Sequence, residues 1–298
     1  QLKTLPNLLF FGPSGSGKTS TIICCGNEIY GIYYDCMTLR LNASNERGIE
    51  TVRTKIKNFV SNRNSIFLPP ELRNIFKLVI LDEIDSMTVE AQGMLRQTIE
   101  KNSITTRFCL ICNDIDKINI SLQSRCALFR FSPLDGKNMK LKLLEICRSE
   151  NIKYQDDALE AIVNISHGDL RLAINILQHL NLTVGMTITV ENVYKVSGYC
   201  LPKLKRKMFR VLSSLYEGKI SLENCVEKII KEIIDHNITI YNLLENFKDD
   251  VLNSDFTTNQ KMYLIDNMAQ IEVYDAVNMD SKNVIMNLAS LFILARNI

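Results

Sequence analysis

The run Gly12-Pro13-Ser14-Gly15-Ser16-Gly17-Lys18-Thr19, continued by Ser20, fits the spacing G-x-x-x-x-G-K-[ST]. Each residue type in it answers to a phosphate. Glycines let the backbone turn tightly enough for successive N–H groups to face one anion. A helix starting at Lys18 adds partial positive charge at its N-terminus. The Lys18 ammonium is placed to reach the β- and γ-phosphates of a nucleotide, and the Thr19 hydroxyl to ligate Mg²⁺. The apolar run Asn7–Phe11 precedes the motif and a helix-capable stretch follows it, which is the setting the motif needs. Gly12, Pro13, Ser14, Gly15, Ser16, Gly17, Lys18, Thr19 and Ser20 are therefore the candidate contacts to Mg-ATP.

A second apolar run, Lys77-Leu78-Val79-Ile80-Leu81, ends in Asp82-Glu83-Ile84-Asp85. Adjacent carboxylates at a strand end suit nucleotide hydrolysis. Asp82 joins Thr19 in the Mg²⁺ shell, and Glu83 polarises the attacking water. Alone, such acids equally suit the start of a helix, where they complement its dipole. A third strand, Phe108–Cys112, ends in Asn113, whose amide can orient the water between Glu83 and the γ-phosphate. Asn after a strand is also an ordinary turn residue.

These residues need a scaffold that brings strand ends together. The first 132 residues alternate short apolar runs with helical stretches, which predicts a parallel sheet with crossover helices. Strands are expected at Asn7–Phe11, Cys36–Leu41, Phe76–Leu81, Arg107–Cys112 and Ala127–Phe131. Helices are expected at Lys18–Tyr30, Ile49–Val60 and Val89–Lys101, and a loop at Asn62–Arg73 with Pro69 and Pro70. After Ser132-Pro133 the pattern is helical: Gly136–Glu150, Gln155–Ile165, Asp169–Leu182 and a short Val190–Val196. Beyond a break at Gly198–Pro202, apolar stripes mark Leu204–Tyr216, Val226–Ile234, Ile238–Phe247 and Met262–Tyr274. The last helix, Ser281–Arg296, is apolar over most of its surface and suits burial against neighbours or a partner. Three parts result: an α/β core at 1–132, a small helical lid at 133–197 and a helical domain at 198–298.

Bulk properties limit the function classes. The chain has 298 residues, 46% hydrophobic and 23% charged, with 35 basic and 33 acidic residues and a net charge of +2. That near balance is not the footprint of a protein that binds DNA alone; a nucleic-acid contact needs a local patch or several chains adding their charge. No apolar run reaches membrane-spanning length and no secretory pattern opens the sequence. Nine cysteines, an odd number scattered along the chain, favour a reducing compartment over a disulfide framework. Cys109 and Cys112 have CxxC spacing, but a strand turns residues three apart to opposite faces. No second cysteine pair accompanies them, and His167, His179 and His236 lie far along the chain.

Six segments in order, GPSGSGKTST, LNASNERGI, LVILDEID, TRFCLICN, LQSRC and GDLRLAINILQ, resemble the small subunits of the clamp loader replication factor C over almost the whole chain. TRFCLICN, NMAQIE and the apolar last helix look most like the subunit numbered three in fungi and five in animals. The resemblance implies an α/β P-loop AAA+ core with a parallel five-stranded sheet, a helical lid and an all-α collar domain. It implies an ATPase in a nuclear hetero-pentamer that opens the PCNA sliding clamp and loads it on primer-template DNA. Arg125, in Ser124-Arg125-Cys126, is implied to act in trans on a neighbour's ATP. Arg171, in Gly168-Asp169-Leu170-Arg171, is implied to reach the γ-phosphate of this chain's own ATP, and Asn113 corresponds to the other nucleotide sensor.

Three positions depart from the family pattern: Ile84 stands for the usual Ala of DEAD, Asn45 for an acid, and Leu172 for a second Arg. The sequence begins just before the first strand, downstream of where the family carries a VEKYRP-like segment near the adenine. For phosphate contacts to DNA, independent of base sequence, the expected residues are Arg53, Lys55 and Lys57 with Arg96 on the next helix; a solvated helical face explains the same charges. Ile56, Phe59 and Val60 are expected either at the clamp or in the core. The cluster Lys203, Lys205, Arg206 and Lys207 is expected to be solvated. Two rival readings are a scaffold that binds ATP and mainly donates Arg125, and another AAA+ DNA-processing ATPase such as a helicase loader or branch-migration motor. Intact Lys18, Asp82, Glu83 and Asn113 argue against the first, and the SRC motif against the second.

Overall fold

The computed structural model describes residues 5–44, 49–61, 75–184, 187–275 and 281–298. Two compact units form, residues 1–139 with 166–172, and residues 140–165 with 173–298.

In the first unit, five parallel strands, β1 (Leu8–Phe11), β2 (Thr38–Asn42), β3 (Lys77–Asp82), β4 (Thr106–Cys112) and β5 (Ala127–Arg130), lie in the order β2-β3-β4-β1-β5. The near-continuous apolar runs of β1, β3 and β4 reflect burial on both faces, whereas the edge strand β5 is largely exposed. Alternation sorts the side chains. Leu9, Val79, Leu81, Phe108, Leu110 and Cys112 join a core with Ile56 of α3 (Ile49–Ser61) and Leu95 and Ile99 of α4 (Val89–Asn102). Leu8, Phe10, Leu78, Ile80, Cys109 and Ile111 face Ile22 and Tyr30 of α1 (Lys18–Tyr30). Cys109 and Cys112 thus belong to opposite faces of the sheet.

Several short elements were not expected. Between α1 and β2 the chain forms a 3-10 turn at Gly31–Tyr33 and a short helix α2 (Tyr34–Met37), so β2 begins at Thr38 and not at Cys36. The turn packs back on α1: a Cβ on Gly26 would lie 2.6 Å from the Tyr34 ring, and the Cys36 thiol donates to Tyr33 O. Helix α5 (Ile120–Gln123) is capped by Asn119, whose side chain accepts from Ser121 N. Buried Gln92 ties α4 to the loop before α5, donating to Lys117 O at 3.0 Å and accepting from Asn119 N at 2.8 Å. The expected loop at 62–73, and Asn45, lie outside the described residues.

Helices α6 (Gly136–Ser149), α7 (Asp156–Ser166) and α8 (Leu170–Val184) run across the unit boundaries, and α9 (Val190–Ser197) follows. The second unit continues with α10 (Pro202–Tyr216), α11 (Leu222–His236), α12 (Ile240–Leu252), α13 (Thr258–Asp275) and α14 (Ser281–Leu294). Pro202 sits in the first turn of α10, where its missing N–H costs nothing. Leu204, Met208, Leu212 and Leu215 give α10 one apolar stripe, and they share a core with Ile229, Phe247, Leu264, Leu288 and Phe292. The last helix buries Val284, Ile285, Leu288, Ala289 and Phe292, while Met286 is exposed. Among the described residues, no helix is long and apolar enough to cross a membrane.

Candidate functional site

Parallel strands put chemistry at their carboxyl ends. Here β3, β4 and β1 are adjacent, so Asp82-Glu83, Asn113 and the loop from Gly12 emerge along one edge. The loop is moulded by its glycines. Gly12 has φ 143°, and a Cβ there would stand 2.1 Å from Phe131 O. Gly15 has φ 63°, and a Cβ would stand 1.8 Å from Asp169 Oδ1. Neither position admits a side chain without moving the backbone or Asp169.

Lys18 is 7% exposed. Its ammonium donates to Gly12 O and Pro13 O, both at 2.8 Å, and to Asn113 Oδ1 at 3.0 Å. All three donors of the ammonium are thereby aimed at the loop and the β4 end. Burial pulls its pKa below the ordinary lysine value; Asp82, Cys112 and Asp85 oppose this and Arg171 adds to it. An incoming polyphosphate would supply the negative charge this ammonium lacks.

The Thr19 hydroxyl donates to Asp82 Oδ2 at 2.8 Å, and Asp82 Oδ1 accepts from Glu83 N at 3.0 Å. A hydroxyl and a carboxylate in contact are hard oxygen donors that fit Mg²⁺, which takes one or two protein ligands alongside phosphates. Glu83 is exposed and holds φ 56°, a left-handed conformation uncommon outside glycine. Ile84 behind it is fully buried with Leu9, Val79 and Leu81, so the larger side chain at this departure fills core space. Asp85 Oδ2 accepts from Asn113 N at 3.1 Å, fixing the backbone from which the Asn113 amide reaches Lys18.

One residue joins the site that the motif reading passed over. Asp169 precedes α8; its Oδ2 accepts from Ser14 Oγ at 2.6 Å and its Oδ1 accepts from Leu172 N at 3.0 Å. It caps the helix and clasps the phosphate loop with one carboxylate. Burial raises its pKa, but the bonds from Ser14, Leu172 and Arg171, with the Arg171 charge, hold it below the ordinary aspartate value. The available signal was the Asp of GDLR at a helix start, a capping pattern. Arg171 itself is exposed in the first turn of α8, close enough to influence Lys18. Leu172, where the family has Arg, is 40% exposed.

Arg125 lies in the turn after α5. It pairs with Glu100 of α4 at 2.5 Å and, among the described residues, makes no hydrogen bond to Lys18, Asp82 or Asn113. Of the charges expected on DNA, Arg53 and Lys57 line a groove of about 680 Å³ between α3 and α4, joined there by Lys101. Lys55 is exposed on the same helix, and Arg96 lies 3.5 Å from Glu100. Ile56 is 1% exposed, so of its two expected places it takes the core. Phe59 and Val60 are partly buried against the same core. Of the α10 cluster, Lys205 pairs with Asp250 and Lys207 with Glu232, while Lys203 and Arg206 are exposed.

Comparison with known proteins agrees with this geometry. The AAA model, ATPase family associated with various cellular activities, matches residues 8–134, and the RCF1/5-like AAA+ ATPase lid model matches 142–182. A protein of Acanthamoeba polyphaga mimivirus named as a replication factor C small subunit is 64% identical over 99% of this chain and 86% of its own length. Replication factor C subunit 5 of Mus musculus is 39% identical over 99% of this chain and 84% of its own. Subunit 4 of Homo sapiens is 40% identical over 90% of this chain and 73% of its own. With this identity, over this much of both chains, the protein belongs to the replication factor C small subunits and is a P-loop AAA+ ATPase of a multi-subunit complex.

Proposed function

We propose that the chain binds Mg-ATP at Gly12–Ser20 and hydrolyses it within a five-subunit clamp loader that opens PCNA and loads it on primer-template DNA. The observation that carries this reading is the pair of bonds Lys18–Asn113 and Thr19–Asp82, which unite the phosphate loop with the ends of β4 and β3. Lys18 takes the β- and γ-phosphates, Thr19 and Asp82 the Mg²⁺, and Asn113 and Glu83 the attacking water. Arg171 reaches the γ-phosphate of the same nucleotide. When bound there, the ion would supply charge neutralisation to the phosphates.

Arg125 serves the neighbouring subunit's ATP. Its exposure and its separation from Lys18's hydrogen-bond partners support that reading. The three-part division at 1–132, 133–197 and 198–298 is supported by the matches at 8–134 and 142–182. DNA phosphates meet Arg53 and Lys57, with Lys101 added by the groove, and Lys55 and Arg96 beside them. The place of the subunit numbered three in fungi and five in animals is supported by the mouse and human subunit 5 matches over 99% of the chain. In a eukaryotic cell this work is nuclear.

The test is DNA- and PCNA-stimulated hydrolysis by the reconstituted complex carrying Glu83→Gln or Arg125→Ala in this chain. Loss with both supports hydrolysis here and completion of the neighbour's site. Loss with Arg125→Ala alone makes the chain an ATP-binding scaffold. Failure to join such a complex leaves a different AAA+ machine.

A further inference from the structure

The arginine assigned to the neighbour's ATP is not loose on the surface. Arg125 Nε donates to Glu100 Oε1 at 2.5 Å, and Nη1 donates to Ser121 O at 2.7 Å, with Ser124 Oγ at 3.4 Å. Among the described residues Nη2 makes no hydrogen bond, so both its N–H groups are left for an incoming oxygen. The side chain remains 37% exposed.

Both anchors stand on packed elements. Glu100 stands on α4, which buries Leu95 and Ile99. The turn carrying Arg125 is closed by Arg125 N to Leu122 O and Cys126 N to Gln123 O, with Leu122 fully buried. Glu100 and Arg125 are 25 residues apart, so this is a tertiary pair and not a by-product of helix spacing. Arg96 Nε lies 3.5 Å from the same carboxylate. One negative charge thus stands between two guanidiniums, and the cluster keeps a net positive charge.

We propose that Glu100 is a positioning residue for Arg125: it sets the guanidinium plane so that Nη2 faces the neighbouring subunit's ATP. This rests on the trans reading of Arg125 given above. A free arginine loses rotamer entropy when it engages a phosphate. Here two bonds within the chain impose that order beforehand, so less is lost as charge develops in the transition state. An ordinary exposed ion pair would add little stability and need have no bearing on turnover. The proposal differs by predicting a kinetic effect.

The experiment compares Arg125→Ala, Glu100→Ala, Glu100→Gln and the double variant Glu100→Ala/Arg125→Ala in the reconstituted complex. Hydrolysis is followed with and without DNA at varied ATP. Glu100→Ala is expected to lower kcat by about tenfold with KM for ATP unchanged, by the same factor with and without DNA. Glu100→Gln, which keeps an acceptor oxygen at similar reach, recovers part of the loss. On the Arg125→Ala background, Glu100→Ala costs nothing more.

Three results overturn the proposal. One is Glu100→Ala turning over as fast as or faster than wild type, which makes the pair inert or a restraint. Another is the double variant falling below Arg125→Ala by the full single-variant factor, which places the action of Glu100 elsewhere. The third is no effect of Arg125→Ala itself, which removes the trans reading together with the proposal. Should Glu100→Ala fail to assemble, Glu100→Gln with its double variant carries the same comparison.

Discussion

Two arginine- and lysine-bearing regions of the first unit handle charge in opposite ways. At the phosphate loop, Lys18 is 7% exposed and its ammonium is turned onto Gly12 O, Pro13 O and Asn113 Oδ1. At the turn after α5, Arg125 is held by Glu100, Ser121 and Ser124 but leaves about a third of its side chain exposed and, among the described residues, its Nη2 without a hydrogen bond. The first region turns its charge inward; the second leaves part of its charge facing outward. On the function proposed above, a subunit built this way would hold its nucleotide through its own loop and make hydrolysis conditional on assembly.

The sharpest way to break that comparison is Arg125→Ala. It should slow hydrolysis at the neighbouring site by about a thousandfold, read in single-turnover experiments on the assembled complex, while nucleotide affinity at this chain's own site is unchanged. A drop in own-site affinity would mean that the two regions are not separate. Glu83→Gln comes next. Loss of the carboxylate proposed to polarise water should lower own-site hydrolysis by about a hundredfold with ATP still bound, as seen by nucleotide retention.

Asp169→Ala should have a smaller effect. It removes a helix cap and the clasp on Ser14, worth about 1 kcal/mol in chemical denaturation. Its pH dependence has a definite sign. The carboxyl is held below its ordinary pKa of 3.8 in the folded chain. The stabilisation from the charged form is therefore fully present above pH 3.8 and is lost as pH falls through the lower folded value. Wild type and Asp169→Asn should converge in stability over that acid range. The smallest effect concerns thiols. Cys24 and Cys25 are exposed, whereas burial pushes Cys112 to about 12 and Cys225 to about 11. Asp85 also raises Cys112, and Lys228 slightly opposes the shift at Cys225. Alkylation of the native chain near neutral pH should mark Cys24 and Cys25 and spare Cys112 and Cys225, with ATP affinity little changed.

What the sequence made legible was mostly local. The phosphate loop encodes its own backbone through glycine, and the buried strands announce themselves as apolar runs, so β1, β3, β4 and α1 fall where expected. The turn at Gly31–Met37 and helix α5 were missed because contacts outside the segment shape them, Tyr34 against Gly26 and Gln92 against the loop at 117–119. Asp169 and Glu100 went unnoticed for the same reason. Their partners, Ser14 and Arg125, are 155 and 25 residues away, and no spacing rule joins them. Ile56 shows the reverse case: an apolar residue on a helix gives no sign of which surface it serves until its burial is known.

The most direct test is a count of nucleotides bound per assembled complex, with Lys18→Ala or Arg125→Ala in this chain. The account predicts that Lys18→Ala removes one nucleotide from the count, and that Arg125→Ala removes none while slowing hydrolysis. An unchanged count with Lys18→Ala, or a lost nucleotide with Arg125→Ala, would contradict the division between a complete own site and a donated arginine.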